Sequence, residues 1–154
     1  MRDNIESNHL IFISSDGKRE GYEIFKERIN NNSWPIYNKT PQSINIQEGK
    51  NVLFYIAGTN NFSQNFIASA SISNIINQKT TTVDPNQEFK QVLFSVQFKD
   101  VNYFEKPLNI KEHINNLSFI EPDKRKIYGL YFQGGVCKIN KQSYDYIINN
   151  TSKN

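Results

Sequence analysis

The chain of 154 residues holds one cysteine, one methionine, one tryptophan and two histidines, and each scarcity removes a class of chemistry. A structural zinc site needs three or four Cys, His or carboxylate ligands converging on one point. His9, His113 and Cys137 lie far apart in sequence, so neither a metal nor a cofactor is expected. Long apolar runs are also missing. The longest, VLFYIA at residues 52–57, falls far short of the roughly 20 residues that span a bilayer, so no membrane segment is expected. The opening MRDNIESNHLIF carries acidic residues and no apolar run of signal-peptide length, which together with the single cysteine leads us to expect a cytoplasmic protein. Excess charge is small: 18 Lys+Arg stand against 15 Asp+Glu, a net +3, so a polyanionic partner would have to be held by a local patch.

Aromatic residues are abundant, with 11 Phe and 8 Tyr, in a composition that suits one soluble domain whose core leans on Phe, Tyr and Ile. HLIFIS reads as a first strand after a loose tail at residues 1–8, and SSDGKRE ends it. Tyr22, Phe25 and Ile29 recur at helical spacing, giving a short amphipathic helix whose Lys26, Glu27 and Arg28 face water. That helix stops before Trp34, which is expected in a turn beside Pro35. NVLFYIAG is apolar on both faces, as in a central strand covered on both sides. NFIASASI and QVLFSVQF alternate as half-buried strands, and the polar NQKTTTVDPNQE between them reads as an exposed loop. Ile110, His113, Ile114 and Leu117 share one stripe of a second helix after Pro107. KIYGLYF and VCKI read as two strands joined through QGG, and Tyr144, Ile147 and Ile148 mark a closing helix before a tail at 150–154. The order predicts an α+β domain over 9–149 with a curved, mostly antiparallel sheet or small barrel flanked by short helices.

An enzyme finds little support in these residues. Cys137 can turn inward as a small core residue, His113 sits on an apolar helical stripe, and the carboxylates Asp100, Glu105, Glu112, Glu121 and Asp123 form no pair at a telling spacing. FQGGV lacks the spaced glycines of a phosphate loop. Aromatic and basic residues remain: Trp34, Tyr37, Tyr55 and the rings of YGLYF, with Lys39, Lys124, Arg125 and Lys126 near them in sequence. Rings on a rigid sheet can stack a splayed base, at about 1–3 kcal/mol per base. By composition alone, a Trp next to Pro reads equally as a lid on the core, and PDKRK as a solvated loop.

The order and spacing of these landmarks resemble the EVE domain family of the PUA-like superfamily, relatives of the YTH readers of methylated adenine in RNA. The likeness rests on HLIFIS, on a helix leading into SWPIYNKT, and on IQEGKNVLFYIAG, which is similar to the family's "kpGDkvlfY" element. ASASISNI and PLNIKEHINNLSFIEPDKRKIYGLYFQGGVCKINKQSYDYII continue it, so that it covers roughly residues 9 to 149. Two departures stand out: Gly49-Lys50 replaces the usual Gly-Asp, and the basic run is not followed by a Trp. The resemblance implies a non-catalytic module that takes a modified base of DNA or RNA into an aromatic pocket. Trp34 would form a cage wall, with Pro35, Ile36 and Tyr37 beside it and Ser14 at the pocket mouth. Tyr55, Phe132, Gln133 and Gly134 would line the cavity, while Lys39, Lys124, Arg125 and Lys126 would meet phosphates. Replacing Trp34 would then cost binding and leave stability nearly unchanged. Rival readings are a component of a nucleic-acid modification or defence enzyme, using an acid such as Asp123, and a protein-interaction module. The oligomeric state is not legible.

Overall fold

The structure is a computed structural model that describes residues 9–15, 17, 19–37, 40–77 and 92–151. The expected tail at 1–8, residues 78–88 of the expected loop, and Lys39 lie outside the described residues. Among the described residues six strands form one sheet: β1 (His9–Ser14), β2 (Trp34–Tyr37), β3 (Asn51–Ile56), β4 (Asn65–Asn77), β5 (Val92–Asn109) and β6 (Val136–Lys138). Their order is β2-β5-β4-β3-β1-β6, so β2 and β6 are the two edges. Among the described residues only β1 and β3 run parallel, in the register His9↔Asn51 to Ser14↔Ile56. A parallel pair needs a crossover connection. Here it is α1 (Gly21–Asn30), β2 and a 3-10 turn at Ser43–Asn45.

Alternation along β1 and β3 builds two cores, one on each face of the sheet. Leu10, Phe12, Val52, Phe54 and Ile56 point to the first core, which α1 covers with Phe25. Ile11, Ile13, Leu53 and Tyr55 point to the second, covered by Ile110, Leu117, Ile120, Phe132 and Ile147. This two-sided burial is what NVLFYIAG predicts, and HLIFIS, expected only as a strand, shares it.

The sheet curls into a half-barrel. Its two longest strands, β4 and β5, pair antiparallel through three register shifts, between Phe66/Ala68, Ser69/Ser71 and Ile72/Asn74. At the second shift Asp100 takes a positive φ of 56°, a conformation that Asp tolerates better than most residues. Extra residues of this kind bend and twist a strand. As a result edge strand β2, four places away from β1 in the sheet order, packs back onto it: the Trp34 ring lies 5.6 Å from that of Phe12.

Local expectations fail in four places. Trp34 is not in a turn: it opens β2, paired with Val96 of β5. KIYGLYF is not a strand, because residues Pro122–Phe132 wind as 3-10 turns that break at Ile127. Pro122 stands at the start of that stretch, and Tyr128, Tyr131 and Phe132 pack on the second core, where the Tyr131 hydroxyl accepts from the Glu121 amide at 3.0 Å. These tertiary contacts outweigh the strand preference of aromatic residues. The helix expected after Pro107 shrinks to α2 (Ile110–His113), capped by the Asn109 side chain and continued by a 3-10 turn at Ile114–Asn116, while Pro107 itself belongs to β5. The closing helix α3 (Lys141–Thr151) runs two residues into the segment expected as tail, and Thr151 is buried.

Candidate nucleic-acid interface

Where the curled sheet brings its two edges near each other, they do not pair, and a cavity of about 310 Å³ opens between them. Ile13 and Ser14 at the end of β1, with Ser15 after it, form one side. All four residues of β2 form another, continued by Thr40 and Pro41. Gln133, Gly134 and Gly135 lead into Val136 of β6 on the third side, and Ile24 and Arg28 of α1 complete the lining.

Short backbone contacts hold these walls in place. The buried Ser14 hydroxyl donates to the Gly21 carbonyl at 2.6 Å, tying the end of β1 to the start of α1. Glycine is required there, since a Cβ at position 21 would sit 2.8 Å from the Ser14 oxygen. The Ile13 amide donates to the Gly135 carbonyl at 2.8 Å. Gly134 lies against Pro41 so closely that a Cβ on it would come within 2.4 Å of the proline Cγ. Tyr37 closes a tight turn: its amide donates to Thr40 Oγ1 at 3.0 Å, and its carbonyl accepts from the Thr40 amide at 3.1 Å.

Trp34 belongs to the core and to the cavity at once. It is only 2 % exposed, with ring neighbours Phe54 at 5.3 Å, Phe12 at 5.6 Å, Phe98 at 6.1 Å and Phe25 at 6.3 Å. The Arg28 guanidinium carbon lies 5.0 Å over the Trp34 ring, and its Nη2 donates to the Tyr37 hydroxyl at 3.3 Å. Arg28 therefore does not simply face water as its place on the helix suggests. Its stem follows Ile24 by one helical turn, on a row beside the Tyr22-Phe25-Ile29 stripe. The burial of Ile24 shows that the apolar face of α1 is wider than that stripe alone.

Of the residues singled out from sequence, Ser14, Trp34, Pro35, Ile36, Tyr37, Gln133 and Gly134 come together around this cavity. Tyr55 and Phe132 do not. They stack on each other with ring centroids 4.1 Å apart, inside the second core on the other face of the sheet. Strand alternation is the reason: Phe54 faces the Trp34 side, so its neighbour Tyr55 faces away, where burial pushes its phenol above the ordinary value. Lys124, Arg125 and Lys126 lie in the 3-10 stretch that ends at Phe132, just before Gln133, and none of them lines the cavity. The Lys124 ammonium is 3.4 Å from the Glu121 carboxylate, whose hydrogen bond raises its pKa. Sequence reasoning missed Arg28, Thr40, Pro41 and Gly135.

The remaining reactive groups are structural in their surroundings. Burial raises the Cys137 thiol to about 12. His113 Nδ1 is 2.7 Å from the Tyr146 hydroxyl, and His9 stacks on Tyr144 at 4.1 Å. Among the described residues, no group of three His, Cys, Asp or Glu gathers into a metal-binding set, and no helix is long and apolar enough to cross a membrane.

Residues 14–150 match the EVE domain family. The chain belongs to that family. No curated protein is similar enough in sequence to match it. Among solved structures, this EVE domain is similar to Rpa0253 of Rhodopseudomonas palustris, at 10 % identity and a TM-score of 0.58, covering 94 % of this chain and 92 % of that one. It is also similar to human THYN1, whose structure is a complex with DNA containing 5-methylcytosine, at 13 % identity and a TM-score of 0.55 over 95 % and 98 % of the two chains. The N-terminal domain of Staphylothermus marinus McrB is similar at 8 % identity and a TM-score of 0.50, over 92 % and 93 %. At such identities the likeness shows a shared PUA-like fold.

Proposed function

We propose that this EVE domain binds nucleic acid by receiving one modified base, turned out of its stack, in the cavity between β2 and β6, and that it does no chemistry on that base. The cavity carries this reading. Its volume lies at the low end of ligand sites, which run roughly 300–1,000 Å³, as suits a single heterocycle. Its lining sets apolar walls from Trp34, Ile36 and Pro41 beside polar groups of Tyr37, Thr40, Gln133 and Arg28. A flipped base needs both, since it is held by stacking and identified by hydrogen bonds at its edge. The THYN1 complex with DNA containing 5-methylcytosine adds a precedent on the same fold. Lys39, Lys124, Arg125 and Lys126 are the proposed phosphate contacts. The run at 124–126 leads through Phe132 into Gln133, so one segment would carry both charge and cavity wall.

A methyl group that fills apolar space is worth about 0.8 kcal/mol, or about fourfold in affinity. Fluorescence polarisation with DNA and RNA oligonucleotides that differ at one central base tests the reading. At least one modified base should bind at least fourfold more tightly than its unmodified parent, with affinity falling as salt rises. Equal binding of every modified and unmodified pair would overturn it.

A further inference from the structure

We propose that Ile127 and Leu130 form an apolar wedge that enters base-paired DNA beside the target base, while Arg125 and Lys126 hold the flanking phosphates. This rests on the base-binding reading above and supplies the step by which a stacked, paired base reaches the cavity. The 3-10 stretch Pro122–Phe132 is two-sided. Tyr128, Tyr131 and Phe132 pack on the second core; the Tyr128 hydroxyl bonds to Gln64, and the Tyr131 hydroxyl accepts from the Glu121 amide at 3.0 Å. Ile127 and Leu130, each one residue before a tyrosine, stand 51 % and 53 % exposed. A spacing of three explains the split, since side chains at i and i+3 of a 3-10 turn eclipse and one row faces the core while the next faces solvent. Gly129 lies between the two aliphatic residues, and among the described residues no atom beyond its chain neighbours comes within 4 Å of where its Cβ would be. Two large apolar side chains are thus held outward, uncovered, on a segment anchored from behind.

Charge and position select the partner that covers them. The Lys124 ammonium is engaged by the Glu121 carboxylate at 3.4 Å and by the field of Asp123. Arg125 and Lys126 have no ion pair or side-chain hydrogen bond among the described residues, and the Arg125 Nε is shielded from solvent without a partner. Two uncompensated cations beside exposed aliphatic side chains suit a polyanion with an apolar interior, and a base stack edged by phosphates is one. Leu130 comes three residues before Gln133 of the cavity wall, about 6 Å along the chain at the 3-10 rise. A side chain there can fill the gap in the stack that a base in the cavity has left. Leu and Ile are among the residues that proteins insert between base steps to unstack and kink a duplex. Bases read in RNA lie mostly in loops that are already unstacked and need no wedge, so the duplex is DNA.

The test uses one DNA strand with a central 5-methylcytosine, and a second with N6-methyladenine, each in three forms: single, fully paired, and paired with an abasic site opposite the modified base. They are titrated into the wild type, Leu130→Ser, the double variant Ile127→Ser/Leu130→Ser, Arg125→Gln and Lys126→Gln. Both aliphatic positions are more than half exposed, so the serine variants should melt with the wild type. On the fully paired duplex the double variant should lose about tenfold in affinity, as expected when apolar side chains lose their burial. Its single-strand affinity should stay within about twofold, because no stack has to be opened there. The loss on the abasic duplex should fall between, since the target base is already unpaired. Leu130→Ser should show part of the same pattern. Arg125→Gln and Lys126→Gln should each lower the slope of log affinity against log salt by about one on the duplex. A wild type that binds the single strands but not the duplex, undiminished duplex binding by the double variant, equal losses on duplex and single strand, or an unchanged salt slope in both charge variants would each overturn the inference and leave base binding standing. So would phosphatidylserine-vesicle binding, or a dimer, that the double variant loses without any duplex effect. Binding of none of the oligonucleotides by the wild type would overturn both.

Discussion

Two groups of stacked rings sit on opposite faces of the same sheet, and among the described residues it is the Trp34 group that borders the cavity between β2 and β6. On one face Tyr55 and Phe132 lie nearly parallel with Phe66 against them, sealed under α2 and α3. On the other, Trp34 stands among Phe12, Phe25, Phe54 and Phe98 and also meets the cavity where β2 and β6 fail to close the barrel. Ring density is thus no guide to a binding pocket. What separates the two groups is the sheet edge: a pocket opens where strands approach without pairing, and polar side chains can be tolerated there.

The widest break in this comparison comes from truncating one large ring on each face. Trp34→Ala and Phe132→Ala should each cost about 3–5 kcal/mol in denaturant unfolding, because both rings are almost fully buried. The cost at Trp34 corrects the expectation that its loss would spare stability. Binding should separate the two variants. Measured on folded protein, Phe132→Ala should lose less affinity for an oligonucleotide than Trp34→Ala, because Trp34 lines the cavity while Phe132 only anchors the segment that leads to Gln133. Affinity lost equally in both variants would show that the two faces are not separate.

A smaller break concerns the cavity wall. In Gly134→Ala the new methyl would meet Pro41 at 2.4 Å, forcing the 133–135 loop and the Thr40–Pro41 turn apart. Overpacking of this kind costs about 1–3 kcal/mol. Pro41→Ala in the same chain should restore part of it, and a double-mutant cycle reads the coupling. Simple additivity of the two substitutions would deny the contact. Ser14→Ala is smaller still. It removes one buried hydrogen bond to Gly21, worth about 1 kcal/mol, and should lower the melting temperature without touching Tyr55 or Phe132.

The same comparison shows what was legible before folding. NVLFYIAG announces two-sided burial by its unbroken apolar run, HLIFIS reads as a strand, and both are interior strands of the sheet. The family likeness groups Trp34, Pro35, Ile36 and Tyr37 with Gln133 and Gly134, and these residues line one cavity although about a hundred residues separate the two stretches in the chain. It does not show on which face each strand residue falls, and so it groups Tyr55 with Trp34. A bulge at Phe54/Tyr55, visible only in the pairing with β4, complicates any count along that strand. Arg28 escapes a reading of the sequence for a different reason. A charged residue on an amphipathic helix is ordinarily solvated, and what draws it over Trp34 is a ring from another element. KIYGLYF misled because its aromatics suit a strand as well as a 3-10 turn, and contacts with the second core decide between them.

The smallest effect lies at the edge of the second face, where β1 begins. His9 is 7 % exposed and stacks on Tyr144, with no hydrogen-bond partner for its Nδ1 among the described residues. Burial holds its imidazole below the ordinary value of 6.5; Asp145 pulls it up, while Lys141 and Lys50 add to the lowering. A lowered histidine takes up its proton less readily in the fold than in the unfolded chain. Its contribution to stability is therefore intact above about pH 6.5 and is lost as pH falls from there through the folded value. Melting temperature should accordingly drop on acidification below that point. His9→Phe keeps a ring against Tyr144 and cannot be protonated, so it should flatten the drop. A wild-type curve and a His9→Phe curve that fall in parallel would place the acid sensitivity elsewhere. Cavity binding, compared at matched folded fractions, should respond alike in both proteins, because His9 does not line the site.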